Sequence, residues 1–175
     1  SLFDGNSADV NGGGAFCECA SFTVDNTMFD GNAAGLYGGA ILTADPIDVF
    51  ATTFTGNTAF NGAGLMCATC GTVTIHSSAF VSNTATSSGG GAQIDALDVV
   101  ITNTTFSSNN VMVATGEALD LTSTQPGAAK TVLSHVTITG HNPPGPQAAA
   151  LFVAPSMTTV VIRNSILADN LIHCQ

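Results

Sequence analysis

Two cysteine pairs are the sharpest chemical signals in the sequence: Cys17-Glu-Cys19 and Cys67-Ala-Thr-Cys70, with Cys174 left over. Together they offer four thiolates, the donor set of a tetrahedral zinc site. Each pair could instead close a short local disulfide, which would place the chain in an oxidising, extracellular compartment, or stay as free thiols. Cys174 is then free or paired outside this chain.

Carboxylates are the second resource. Twelve acidic residues stand against only Lys130 and Arg163, a formal charge of −10. Phosphate recognition needs clustered Lys and Arg, so nucleic acid and anionic membrane surfaces are excluded as partners. No run is long enough to insert across a membrane. Glycoside hydrolysis needs two or three carboxylates converging on one face; the candidates are Asp4 with Asp30, Asp45 with Asp48, and Asp95 with Asp98. Asp4 and Asp30 could also hold calcium, the one cofactor the sequence suggests, or splay into water as turn residues. The histidines, His76, His135, His141 and His173, form no nucleophile-base arrangement. Asn103-Thr-Thr is the single glycosylation sequon, and it doubles as an ordinary position of the repeat described next.

A repeat must position these groups. Phe-x-x-Asn occurs from Phe3 to Asn6, Phe29 to Asn32, Phe54 to Asn57, Phe80 to Asn83 and Phe106 to Asn109, with the aromatic residues 26, 25, 26 and 26 apart. Weaker copies run from Ile138 to His141 and from Leu167 to Asn170. A Gly-Ala motif follows in phase: Gly13-Gly-Ala-Phe16, Gly38-Gly-Ala-Ile41, Gly62-Ala-Gly-Leu65, Gly90-Gly-Ala92 and Gly116-Glu-Ala-Leu119. Two motifs locked in register decide the fold before any single residue does.

Each unit holds three short strand signals and no helical periodicity. Alternating runs such as Phe22-Thr-Val24, Ile47-Asp-Val49, Val73-Thr-Ile75 and Val99-Val-Ile101 put apolar side chains on one face. A second strand ends at the Phe, and a third carries the Gly-Ala motif. Three strands per turn predict an all-β, single-stranded parallel β-helix of about seven coils, the first and last incomplete, over residues 1–175 as one domain. Equivalent residues then stack: a Phe ladder inside, an Asn ladder at one turn, and a weaker polar column of Asn26, Ser77, Asn103, His135 and Asn164 that Ala51 interrupts. The two cysteine pairs fall two layers apart, roughly 10 Å at about 4.8 Å per strand layer. That is too far for one tetrahedral site, so local disulfides Cys17–Cys19 and Cys67–Cys70 are favoured over a shared metal.

Two insertions, Leu121 to Lys130 and Asn142 to Gln147, lengthen their coils and should bulge from the surface. Around the Gly-Ala motif both strand phases are apolar. One reads Phe16, Ile41, Leu65, Leu119 and Leu151, broken by Gln93; the other reads Cys17, Leu42, Met66, Ile94 and Phe152, broken by Asp120. Whichever phase points outward makes an apolar stripe suited to a partner, and Leu42, Met66, Ile94 and Phe152 are the expected surface. The chain opens within a repeat, so it is expected to be a segment of something longer or polymeric, with open strand edges to be capped or joined.

The paired Gly-Gly-Ala-Ile and Phe-x-x-Asn motifs resemble the repeats of chlamydial polymorphic outer-membrane proteins. They are also similar to secreted right-handed β-helix repeat proteins of the pectin-lyase-like superfamily. Arg163-Asn-Ser-Ile-Leu-Ala-Asp-Asn170, followed by Cys174, looks like the last coil of such surface proteins. The resemblance implies a right-handed helix, surface display and an adhesive or structural role. That superfamily also includes lyases and hydrolases, so fold alone does not decide activity. Its polyuronate lyases pair calcium-binding acids with a basic residue; here only Lys130 and Arg163 could be that base, and they fall in different coils at different phases. The expected function is an extracellular or cell-surface rod, a filament subunit or stalk that associates with itself or other surface proteins. The alternative is a carbohydrate-active or polysaccharide-binding module using outer carboxylates.

Overall fold

Three recurring positions take a left-handed backbone, and among the described residues they make the corners of the coils in the computed structural model. Gly5, Gly31, Gly56, Ser82, Ser108 and Gly140 form the first corner, and Gly12, Gly38, Gly62, Gly89 and Gly116 the second. The third is Asn26, Ala51, Ser77, Asn103, His135 and Asn164, and φ at all three corners lies between 46° and 70°. Glycine takes this conformation without strain and Asn at small cost, whereas Ala51 is held there by its neighbours. The structure describes residues 1–113, 115–141, 149–168 and 173–174. The expected loop from Asn142 to Gln147 and the ladder position Asn170 lie outside them.

Between corners, every strand pairs in parallel with its counterpart one coil away. The Phe sheet has seven strands, running from Leu2–Asp4 through Met28–Asp30, Thr53–Thr55, Ala79–Val81, Thr105–Ser107 and Thr137–Thr139 to Ile166–Ala168. A five-stranded short sheet runs from Ser7–Ala8 to Asn110–Val111. The long sheet has eleven strands and includes two that cross the whole wall, Leu65–His76 and Ala92–Thr102. This is an all-β parallel solenoid of about six turns. About seven were expected, the first and last incomplete, so the count differs slightly while the class is as expected. Among the described residues no helix is long and apolar enough to cross a membrane.

The core is columnar. Phe3, Phe29, Phe54, Phe80 and Phe106 stack with ring centroids 4.4 to 5.3 Å apart and planes within 10° of parallel. Ile138 and Leu167 continue the column by register. Each aromatic residue sits at the middle of its strand, one position earlier than the sequence suggested. The next coil and these rings both require the glycines. A Cβ on Gly64 would clash with the Gly91 carbonyl oxygen and meet a Phe80 ring carbon at 2.9 Å, and one on Gly91 would clash with the Ala118 carbonyl oxygen and meet Phe106 at 3.0 Å.

The Asn ladder is a chain of paired bonds. Asn57 donates from its backbone N and its Nδ2 to Asn83 Oδ1 at 3.0 and 2.8 Å. Asn83 does the same to Asn109, and Asn32 to Asn57. Each Nδ2 also reaches back to a phenylalanine carbonyl, as Asn83 does to Phe54 at 3.0 Å. Asn6 enters the ladder at one end through Asn32, and Asn109 Nδ2 meets His141 Nε2 at 3.4 Å at the other.

A further ladder was not read from the sequence. The residue after the third corner is Thr27, Thr52, Ser78, Thr104 or Ser165 in five coils, and its hydroxyl donates to the carbonyl two residues earlier. The amides of Thr52, Ser78 and Val136 donate to the hydroxyl one coil on. The signal was present as Asn-Thr, Ala-Thr, Ser-Ser and Asn-Ser pairs once per coil. The Asn103-Thr-Thr sequon is one of these corner pairs, with an exposed Asn103.

The first insertion does not bulge freely. Thr124 donates its amide and hydroxyl to the two oxygens of Asp95, and Gln125 Nε2 donates to Cys70 O at 2.6 Å. The segment is a strap laid back across two preceding coils.

Candidate functional site

At the second corner the chain doubles back so sharply that two columns of side chains stand beside each other outside the core. The residue before each corner glycine is Asn11, Tyr37, Asn61, Ser88 or Thr115. The outward column beyond it is Phe16, Leu42, Met66, Gln93, Asp120 and Phe152, in register from coil to coil. This corrects the expected phases. The inward columns are Ala15, Ile41, Leu65, Ala92, Leu119 and Leu151, and then Cys17, Thr43, Cys67, Ile94, Leu121 and Val153. Ile94 is therefore no surface residue: it is 0% exposed in the main core. The cause is a run of three glycines at Gly12 to Gly14 and again at Gly89 to Gly91, where composition leaves the register open. The left-handed φ of Gly12 and Gly89 fixes it, and a one-residue slip exchanges the two faces.

Phe16, Glu18, Tyr37, Leu42, Ala44, Met66 and Ala68 line a shallow cavity of about 360 Å³ on the first three coils. Beyond Met66 the outward column turns polar, so the apolar stripe is shorter than expected. Phe152 resumes it but stands apart, with Gln93 and Asp120 between it and Met66. A second apolar feature was missed. Val10, Leu36, Phe60, Met112 and Val113 are exposed along the edge between the short and long sheets. A groove of about 240 Å³ lies beside them, lined in part by Ala59, Phe60 and Met112. The alternation in Thr58–Asn61 carries the signal, because inward Ala59 leaves Phe60 facing out.

Two carboxylates are buried at the fifth copy of this corner. Glu117 occupies a column that other coils fill with Gly13, Gly39, Ala63 and Gly90. It is 0% exposed, and neither of its carboxylate oxygens has a hydrogen-bond partner among the described residues. Burial pushes its pKa up from 4.5 to about 7, with the Val111 amide pulling weakly the other way from outside bonding geometry. Asp120, in the outward column, is 5% exposed and rises from 3.8 to about 6. Desolvation again leads, opposed by hydrogen bonds from Thr115 and Ser88.

The other candidate groups are dispersed. Asp4 and Asp30 are register neighbours at the ends of their strands, followed by Thr55 rather than a third acid. Asp48 and Asp98 are exposed on the long sheet, and Asp98 stands beside Lys130 on the next strand. Asp95 is engaged by the strap. His76 packs its ring 5.6 Å from Phe50, and His135 sits at a third corner. Cys17–Cys19 and Cys67–Cys70 are bonded as disulfides with Cα separations of 5.6 and 5.9 Å. Asp45 lies against the first pair, accepting the Cys19 amide at 2.6 Å. Cys174 aligns with Val153 by backbone register.

Comparison with known proteins gives one match: residues 1–18 fit the family model of the Chlamydia polymorphic membrane protein (Chlamydia_PMP) repeat. No curated protein and no solved structure gives a significant match. The matched residues span Phe3, Asn6 and the first glycine corner, the same parts the solenoid returns once per turn. The chain is a parallel β-helix repeat protein, and its first coil is similar to the polymorphic membrane protein repeat.

Proposed function

We propose that this chain is a surface-displayed structural rod that uses the edge between its short and long sheets as an adhesive, partner-binding face. One observation carries the reading. Of the thirteen large apolar side chains exposed among the described residues, seven lie on or beside this edge: Val10, Phe16, Leu36, Tyr37, Phe60, Met112 and Val113. A soluble surface scatters such residues, and their concentration along one edge, interrupted at the fourth coil by Thr84 and Thr86, marks an interaction site. Display outside the cell is supported by two disulfides, which persist in oxidising compartments, and by a repeat named for membrane proteins. The partner is a second copy or another surface protein.

The test is association of the wild type and of Leu36→Ser/Phe60→Ser, followed by sedimentation and by binding to intact cells. The expected result is concentration-dependent assembly or cell binding that the double variant loses while its melting temperature is kept. Equal behaviour of the two proteins overturns the reading.

A further inference from the structure

The Cys17–Cys19 corner differs from its counterpart in two respects: it is only half-buried, and a carboxylate from the next coil lies against it. A sulfur from each cysteine and a carboxylate oxygen of Asp45 all lie within 4.8 Å of one another, each residue being half-buried. Cys67 and Cys70 are fully buried, and no carboxylate joins them in such a cluster among the described residues. A tetrahedral zinc ion with bonds of about 2.3 Å to sulfur and about 2.1 Å to oxygen needs ligand atoms about 3.5 to 3.8 Å apart. The three ligand atoms at this corner, within 4.8 Å of one another, lie close to that envelope. Asp45 is also held in place: its carboxylate accepts the Cys19 amide, and its own amide donates to Thr43 Oγ1 at 3.0 Å. Such supporting bonds orient a ligand before the ion arrives. The sequence-level objection to a metal site was the two-layer gap between cysteine pairs. Asp45 answers it by supplying a third donor from the adjacent layer.

We propose that Cys17, Cys19 and Asp45 form a redox-gated site for a thiophilic divalent cation such as zinc, closed while the disulfide stands and opened by its reduction. A trialkylphosphine reductant supplies two electrons and becomes the phosphine oxide. The Cys17–Cys19 sulfur–sulfur bond breaks, and water provides the oxygen and both thiol protons. Metal entry releases those two protons, so two thiolates and one carboxylate bind the ion and water completes the fourth position. Accessibility directs the chemistry to this pair, since the Cys67–Cys70 bond is shielded in the core.

The experiment titrates cobalt(II) and zinc(II) into the chain before and after mild phosphine treatment, with alkylation and mass analysis to confirm which bond was reduced. The reduced protein should bind one equivalent with a thiolate-to-cobalt absorption band, and zinc should raise its melting temperature. The oxidised protein should do neither. Asp45→Asn should weaken binding at least roughly tenfold, while Asp48→Asn, three residues further along and exposed on the long sheet, should leave it unchanged. Absence of the band in the reduced chain, equal binding by Asp45→Asn, or equal binding by the oxidised chain each overturns the assignment.

Discussion

A phenylalanine in this rod counts according to its side of the wall. Phe54, Phe80 and Phe106 are 0% exposed in a continuous stack, whereas Phe60 is 43% exposed a few residues past one of them. Truncating a buried Phe removes its transfer free energy and leaves a cavity that flanking rings cannot fill. Phe80→Ala should therefore cost about 3–5 kcal/mol in denaturant unfolding, and Phe60→Ala under about 1 kcal/mol. Comparable losses at both positions would show that the stack is not the structural core. The two residues were distinguishable in the sequence, because Phe80 recurs at the coil period and Phe60 does not. What composition hid was polar: the Ser and Thr of the hydroxyl ladder are common enough in this chain that their recurrence after each third corner did not stand out.

At the scale of the strand and its corners, period and phase were unequally legible. The Phe-x-x-Asn period set the fold class and the Asn column, because both residues are large or amide-bearing and rarely replaced. The Gly-Ala phase was not fixed, because three consecutive glycines look alike while only the first adopts the left-handed φ. That single ambiguity placed Ile94 outside and split the polar breaks at Gln93 and Asp120 between two phases, although they share one column. It also left Glu117 in the sequence as one more corner residue, although its column admits almost no side chain. A cost follows from burying it. The folded pKa values of Glu117 and Asp120, about 7 and about 6, lie above the ordinary 4.5 and 3.8. Between those limits the native state binds more protons than the unfolded chain, so stability falls as pH rises. The contribution is fully present below about pH 4 and lost above about pH 7. Among the described residues no cation compensates it: burial raises its pKa, and the Val111 backbone is the only group that lowers it. The melting temperature should drop by several degrees from pH 5 to pH 8. Glu117→Gln should flatten that drop and be the more stable protein at pH 8. An unchanged pH profile in the variant would mean that Glu117 is solvated when ionised.

On the scale of the whole rod, stability is a sum over neighbouring coils, and when residues 1–175 are taken alone the outermost coils have only one neighbour. The two strands that cross the long sheet without a break, Leu65–His76 and Ala92–Thr102, belong to adjacent middle coils and pair with each other along most of their length. The strap from Thr124 and Gln125 ties onto the same region through Asp95 and Cys70. In the last described coil of residues 1–175 taken alone, Ile162 is 45% exposed although Leu133 and Ile101, its register partners, are buried. Charge weakens the near end as well, since residues 1–50 carry seven of the twelve acidic groups and neither basic one. Local opening should then be cheapest in the terminal coils and most costly in the middle. In native-state hydrogen exchange, amides of Val73, Ile75, Val99 and Ile101 should exchange at least roughly a hundredfold more slowly than those of Leu2–Asp4 and Ile166–Ala168, about 2.7 kcal/mol of opening free energy. Added salt screens like-charge repulsion, so it should slow exchange in the first two coils more than in the third and fourth. Uniform protection along the rod would make the solenoid one cooperative block, with the end coils as firmly held as the middle. Graded protection that ignored salt would leave the end effect to missing neighbours alone.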